Sequence, residues 1–106
     1  MTHPHPIFTA LGLMSGTSMD GVDVALIETD GRAHVTTGPA GFFAYSDADR
    51  AILRAALAEA PALTDRNARP GALAQAETLV TQRHAAAVEA FRTQHNMAAS
   101  TIDVVG

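Results

Sequence analysis

No cysteine occurs in the chain, which excludes disulfides, zinc–thiolate centres and a thiolate nucleophile within it. Lysine is missing too: all 7 basic residues are arginines, so no chemistry here can rest on a lysine amine. No basic cluster is present, and with 11 acids the formal net charge is −4, which argues against a nucleic-acid footprint. Long apolar runs are lacking as well; none approaches the roughly 20 residues that cross a bilayer. The opening MTHPHP carries neither the positive flank nor the apolar stretch of a secretory leader, so a cytoplasmic protein without a membrane partner is expected.

What is there suits one globular domain at most. The 106 residues are 47% hydrophobic and 17% charged, enough to bury a single core but few for a complete two-substrate enzyme. IFTALGLM (7–14) is short, apolar and rich in branched and aromatic residues, and reads as a strand. In DGVDVALIETD, Val22, Val24 and Leu26 alternate with Asp23, Ala25 and Ile27, a period of two that predicts a strand with both faces largely covered. The Asp-Gly of TDGR (29–32) signals a hairpin. AHVTTGPAGFFAY then reads as a third strand, bent or bulged around Gly38, Pro39 and Gly41. Together these make an antiparallel meander.

Further on the period changes. Ser46 or Asp47 can cap a helix through ADRAILRAALAEA, with Ile52, Leu53, Ala56 and Leu57 as its apolar stripe and Pro61 as its stop. LTDRNARPG is a linker. From about Gly71 a longer helix carries Leu73, Ala76, Val80, Ala87, Val88 and Phe91 at helical spacing, with Asn96 as its C-terminal cap. STIDVVG reads as the start of another strand, with no partner element after it.

The chemistry concentrates in MSGTSMDGVD (14–23), which allows three readings. SGTSM matches the stretch around the catalytic serine of subtilisin-like proteases, but Asp20 and Gly21 follow it and only His3 and His5 precede it. No oriented base is at hand, so that match is coincidental. Gly16 and Gly21 have P-loop spacing, yet Val22 and Asp23 stand where lysine and Ser/Thr are needed. The third reading is a hairpin tip that grips phosphate. There Gly16 frees the backbone, successive N–H groups and the Thr17 and Ser18 hydroxyls donate, and Asp20 or Asp23 holds water on a metal. Three apart in an extended strand, the two aspartates point to opposite faces, so one alone serves unless the turn runs past Gly21. An exposed hairpin that uses Ser, Thr and Asp only for turn chemistry explains the same residues.

Residues Leu11–Glu28, LGLMSGTSMDGVDVALIE, strongly resemble the opening of the anhydro-N-acetylmuramic acid kinases, bacterial sugar kinases of the actin/hexokinase/Hsp70 superfamily. The likeness continues less specifically through helix 71–95 and the closing IDVVG. It implies an α/β fold, the ribonuclease-H-like lobe of the actin-like ATPases, of which residues 1–106 form the incomplete N-terminal part behind a disordered tail, 1–6. It also implies ATP and Mg2+ as cofactors, and transfer of phosphate to the 6-oxygen of 1,6-anhydro-N-acetylmuramic acid. Water adds at C1 in that reaction, giving N-acetylmuramic acid 6-phosphate in peptidoglycan recycling. Gly16, Thr17, Ser18, Met19, Asp20, Gly21, Val22 and Asp23 match the family's ATP-binding loop, with Asp20 and Asp23 as metal candidates through water. The wider superfamily places an aspartate two residues before the loop glycine; Met14 stands there in this chain. The family's His-Gly-Gln-Thr stretch, its basic aspartate and its second lobe are expected beyond Gly106. Catalytic residues are therefore expected outside this chain, which alone should neither phosphorylate sugar nor hold ATP tightly. A homodimer is open to the full enzyme, and the rival reading is a non-catalytic ribonuclease-H-like structural or assembly module.

Other polar residues read blandly. His3 and His5 belong to the tail, His84 packs at a helix boundary, and His95 favours the helix dipole. Glu77, Glu89, Arg83 and Arg92 read as solvated helix charges, and Met14 and Met19 as packing residues, Met19 with the option of lining the adenine side of a cleft.

Overall fold

The computed structural model describes residues 6–106 except Thr17, Ser18, Arg66 and Arg69. The expected disordered tail, with His3 and His5, lies outside the described residues but for Pro6. Three strands form the meander: β1 (Phe8–Met14), β2 (Gly21–Thr29) and β3 (Val35–Ala44). Alternating Val22, Val24 and Leu26 set its register. Leu26 lies opposite Leu11 and Val24 opposite Leu13 on β1, while Val22 faces Phe43 on β3. This places one apolar row inward, and Leu11, Val22 and Val24 are each 1% exposed.

The other face departs from the sequence expectation. Asp23 and Ala25 are exposed there, beside exposed Phe42 and Met14, so the sheet is covered on one face only. Ala25 and Ile27 are apolar enough to mimic a buried face without being one.

The β3 irregularity falls at the expected residues. Pairing passes from Ala25↔Ala40 to Ile27↔Thr37, which leaves one extra residue on β3 at Gly38–Pro39. Pro39 is tolerated because β3 is an edge strand in the order β3-β2-β1-β4. At the far turn the Oδ1 of Asp30 accepts the backbone N–H groups of Arg32, Ala33 and His34, and Gly31 takes a left-handed φ of 77°. The N–H of Arg32, ahead of the others, holds the Asp30 carboxyl below its usual range.

Helix α1 (Asp47–Glu59) starts on a capping box: the Ser46 Oγ accepts the Asp49 N–H, and the Asp49 carboxylate accepts the Ser46 N–H. It ends at Glu59, and Pro61 lies in a following 3-10 turn, Ala60–Ala62. Of its expected stripe Ala56 is buried and Ile52 and Leu53 are half-buried, but Leu57 is 59% exposed. Helix α2 (Ala72–Gln94) lays Ala87 and Phe91 against the sheet, with Phe91 fully buried. Ala76 and Leu79 are buried farther up the same helix. Burying one phenylalanine side chain is worth about 1.5–3 kcal/mol.

The end of α2 is a Schellman motif. Asn96 takes φ 52°, its N–H donates to the Thr93 carbonyl, and the Met97 N–H reaches the Arg92 carbonyl at 2.9 Å. Met97 then packs on the core.

The last segment corrects the extent of the expected strand. Ala99–Thr101 is a 3-10 turn, and the strand proper, β4 (Val104–Val105), has two residues only. β4 pairs in parallel with β1, Ala10↔Val104 and Leu11↔Val105. Backbone bonds from Asp103 to Thr9, Gly106 to Leu11 and Leu13 to Gly106 extend that contact. Three antiparallel strands, two helices and a fourth strand parallel to the first reproduce the opening order of a ribonuclease-H-like lobe.

Candidate functional site

The loop of interest joins β1 to β2, so its two stems are adjacent paired strands, and Met14 lies directly opposite Asp23. Between them the Met19 N–H donates to the Gly16 carbonyl at 3.1 Å, closing a turn, and Met19 holds a left-handed φ of 56°. Gly21 opens β2 under a tight constraint. A Cβ there would collide with the Phe43 carbonyl oxygen and stand 2.8 Å from the Ala44 Cα. Only glycine lets β2 approach β3 at that point.

Tyr45, which precedes the α1 cap, holds both stems. Its N–H donates to the Asp20 carbonyl at 2.8 Å, and its hydroxyl shares a 2.8 Å hydrogen bond with the Ser15 hydroxyl. The ring is 3% exposed. Behind it the Asp49 carboxylate, already bound to the cap, accepts Nε and NH2 of Arg83 at 2.9 and 3.1 Å. Arg83 is thus no free solvated charge but a tie between α1 and α2. The Arg83 guanidinium, more than the cap bonds, draws the Asp49 carboxyl down from the usual 3.8 to about 2. Arg92 also departs from expectation, bridging the Glu89 carboxylate and the Met97 carbonyl. His84 stays a boundary residue, its Nδ1 2.7 Å from the Val80 carbonyl, and His95 packs on the Phe91 ring.

The predicted loop residues do not share one surface. Gly16 and Asp20 are exposed, Met19 is half-buried, and Thr17 and Ser18 lie outside the described residues. Val22 is sealed in the core, so only its backbone can meet a ligand. Asp23 is exposed on the open sheet face. Among the described residues no group of three or more His, Asp or Glu could hold a metal. Met14 is no packing residue, being 66% exposed.

A cleft of about 330 Å³ lies on the helix side of the loop, with Ser15, Gly16 and Met19 on one wall and Leu53, Leu57 and Leu73 on the other. Among the described residues its lining carries no cationic side chain. Tyr45 and Ser15 are the site residues that sequence reasoning missed. The available signal was slight: the chain's sole tyrosine stands directly before a helix cap.

Comparison with known proteins bears on this loop and on the rest of the chain. The family model described as anhydro-N-acetylmuramic acid kinase matches residues 8–106. An anhydro-N-acetylmuramic acid kinase of Rhodopseudomonas palustris (strain BisB18) is 58% identical over 98 residues, covering 92% of this chain and 27% of the relative. One from Bradyrhizobium diazoefficiens is 60% identical over 100 residues, covering 94% of this chain and 27% of the relative. One from Agrobacterium fabrum is 49% identical over 98 residues, covering 92% and 26%. The chain therefore spans about a quarter of the length of these curated relatives. With the family model matched across nearly its whole length, and its meander, helices and parallel β4 in the expected order, the chain belongs to the anhydro-N-acetylmuramic acid kinase family.

Proposed function

We propose that residues 1–106 form the first part of the nucleotide-gripping lobe of a cytoplasmic ATP-dependent sugar kinase. Its reaction is phosphorylation of an anhydro amino sugar, 1,6-anhydro-N-acetylmuramic acid, with hydrolytic opening of the anhydro bridge during peptidoglycan recycling. The observation that carries the proposal is the β1–β2 turn, a short polar connection whose stems are fixed by sheet pairing and by Tyr45. Phosphoryl transfer needs positioning and charge neutralisation more than covalent chemistry, and backbone N–H groups of a turn held at its stems would supply positioning.

Within that turn Gly16 leaves the backbone open to phosphate oxygens, and Thr17 and Ser18 add hydroxyl donors. Val22 contributes through its main chain alone. Asp20, just before β2, and Asp23, within it, are exposed acids on the β2 side of the turn, suited to water-mediated contact with a magnesium ion held mainly by the phosphates. When bound, that ion would neutralise phosphate charge. The phosphate role is tested by titrating ATP into the whole protein while following the amides of residues 16–21. Shifts confined to those amides, with a large loss of kcat/KM in Thr17→Ala, are expected; silent amides with full activity in Thr17→Ala would sink the proposal.

A further inference from the structure

Tyr45 touches the loop twice, once on each stem: hydroxyl to Ser15 before the turn and backbone N–H to Asp20 after it. The Met19 N–H bonds the Gly16 carbonyl within the turn, and Tyr45 adds a hold at each end. Sheet pairing fixes Met14 against Asp23, but Ser15 and Asp20 lie beyond that pair. Tyr45 is itself immobilised: its ring is buried in the core cluster, and the next residue caps α1 through Asp49, which Arg83 ties to α2. The hydroxyl of Ser15, an exposed residue, meets a phenol that reaches it from the interior.

We propose that Tyr45 is a positioning residue for nucleotide phosphate, clasping both stems of the β1–β2 turn before ATP arrives. This rests on the phosphate reading of the turn given above. Ordering a loop in advance spares binding the cost of ordering it, so loss of the clasp is read in ATP affinity rather than in sugar affinity. A tyrosine that served the core alone would leave both Michaelis constants untouched, or would change every parameter together with Tm.

The experiment uses the whole protein with Tyr45→Phe, Ser15→Ala, the double variant and Gly16→Val, measuring kcat, KM for ATP, KM for the anhydro sugar and Tm. Tyr45→Phe keeps the buried ring and the backbone bond to Asp20, and exposed Ser15→Ala removes the same hydrogen bond from the other side. Each single variant is expected to raise KM for ATP by about 2- to 10-fold, the worth of one net hydrogen bond. KM for the sugar stays within about 2-fold, and the double variant is no worse than either single one, because the two remove one shared interaction. If Gly16→Val loses ATP affinity while both clasp variants keep theirs, the clasp is overturned and the phosphate turn stands. If Gly16→Val also binds ATP normally, the phosphate turn falls and takes the clasp with it. A uniform decline of all parameters in Tyr45→Phe, with Ser15→Ala unchanged, overturns the clasp in favour of a packing role.

Discussion

Gly21 and Asp49 show how single side chains, or the lack of one, hold this site in place. At Gly21 a methyl group would meet backbone atoms of β3, which cannot rotate away as a side-chain tip can. Gly21→Ala is therefore expected to cost about 1–3 kcal/mol, read as a lower urea midpoint with an unchanged slope. Asp49 offers a test by pH. Its folded carboxyl titrates near 2 against a usual 3.8, so its contribution is complete above the upper value and is lost as pH falls through the lower. Asp49→Asn should remove that part of the acid dependence of stability, leaving a flatter Tm profile between about pH 4 and 2. Neither role was legible in sequence. Gly21 looked like a loop glycine because the constraint comes from Phe43 and Ala44, more than 20 residues away along the chain. Arg83 looked solvated because its partner is 34 positions back, on another helix.

Elements were easier to read where the deciding interaction is local. Ser46 and Asp49 sit three apart, Thr93 and Asn96 likewise, and both helix ends appear where capping chemistry puts them. Asn96→Ala is expected to cost about 1 kcal/mol, because alanine resists the left-handed backbone, while Asn96→Gly should match the parent within a few tenths. Thermal unfolding of the two variants side by side checks this. Elements that depend on distant pairing were read less well. STIDVVG has the composition of a strand, yet only Val104 and Val105 lie in register with β1, and a 3-10 turn takes the preceding residues. Sheet coverage misled for a related reason. Alternation in β2 shows which residues share a face, but not whether anything packs on it, and Ala25 stays exposed.

For the molecule as a whole, the family was legible from the stretch 11–28, whereas the working site was not. The chain matches 27% of the length of a relative, and among the described residues no acid cluster could organise a metal unaided. Phosphoryl transfer needs groups on both sides of the phosphate. The 106-residue chain alone is accordingly expected to give no sugar phosphate above a no-protein control in an ATP-coupled assay. The pairing of β4 with β1 has a consequence during synthesis. The meander and its turns can close as soon as β3 leaves the ribosome, since their contacts are near neighbours in sequence. The outer edge of β1 must wait for Asp103–Gly106, about 94 residues behind its partner Thr9. For that interval the nascent chain carries a bare strand edge directly beside the β1–β2 turn, open to pairing with the wrong segment.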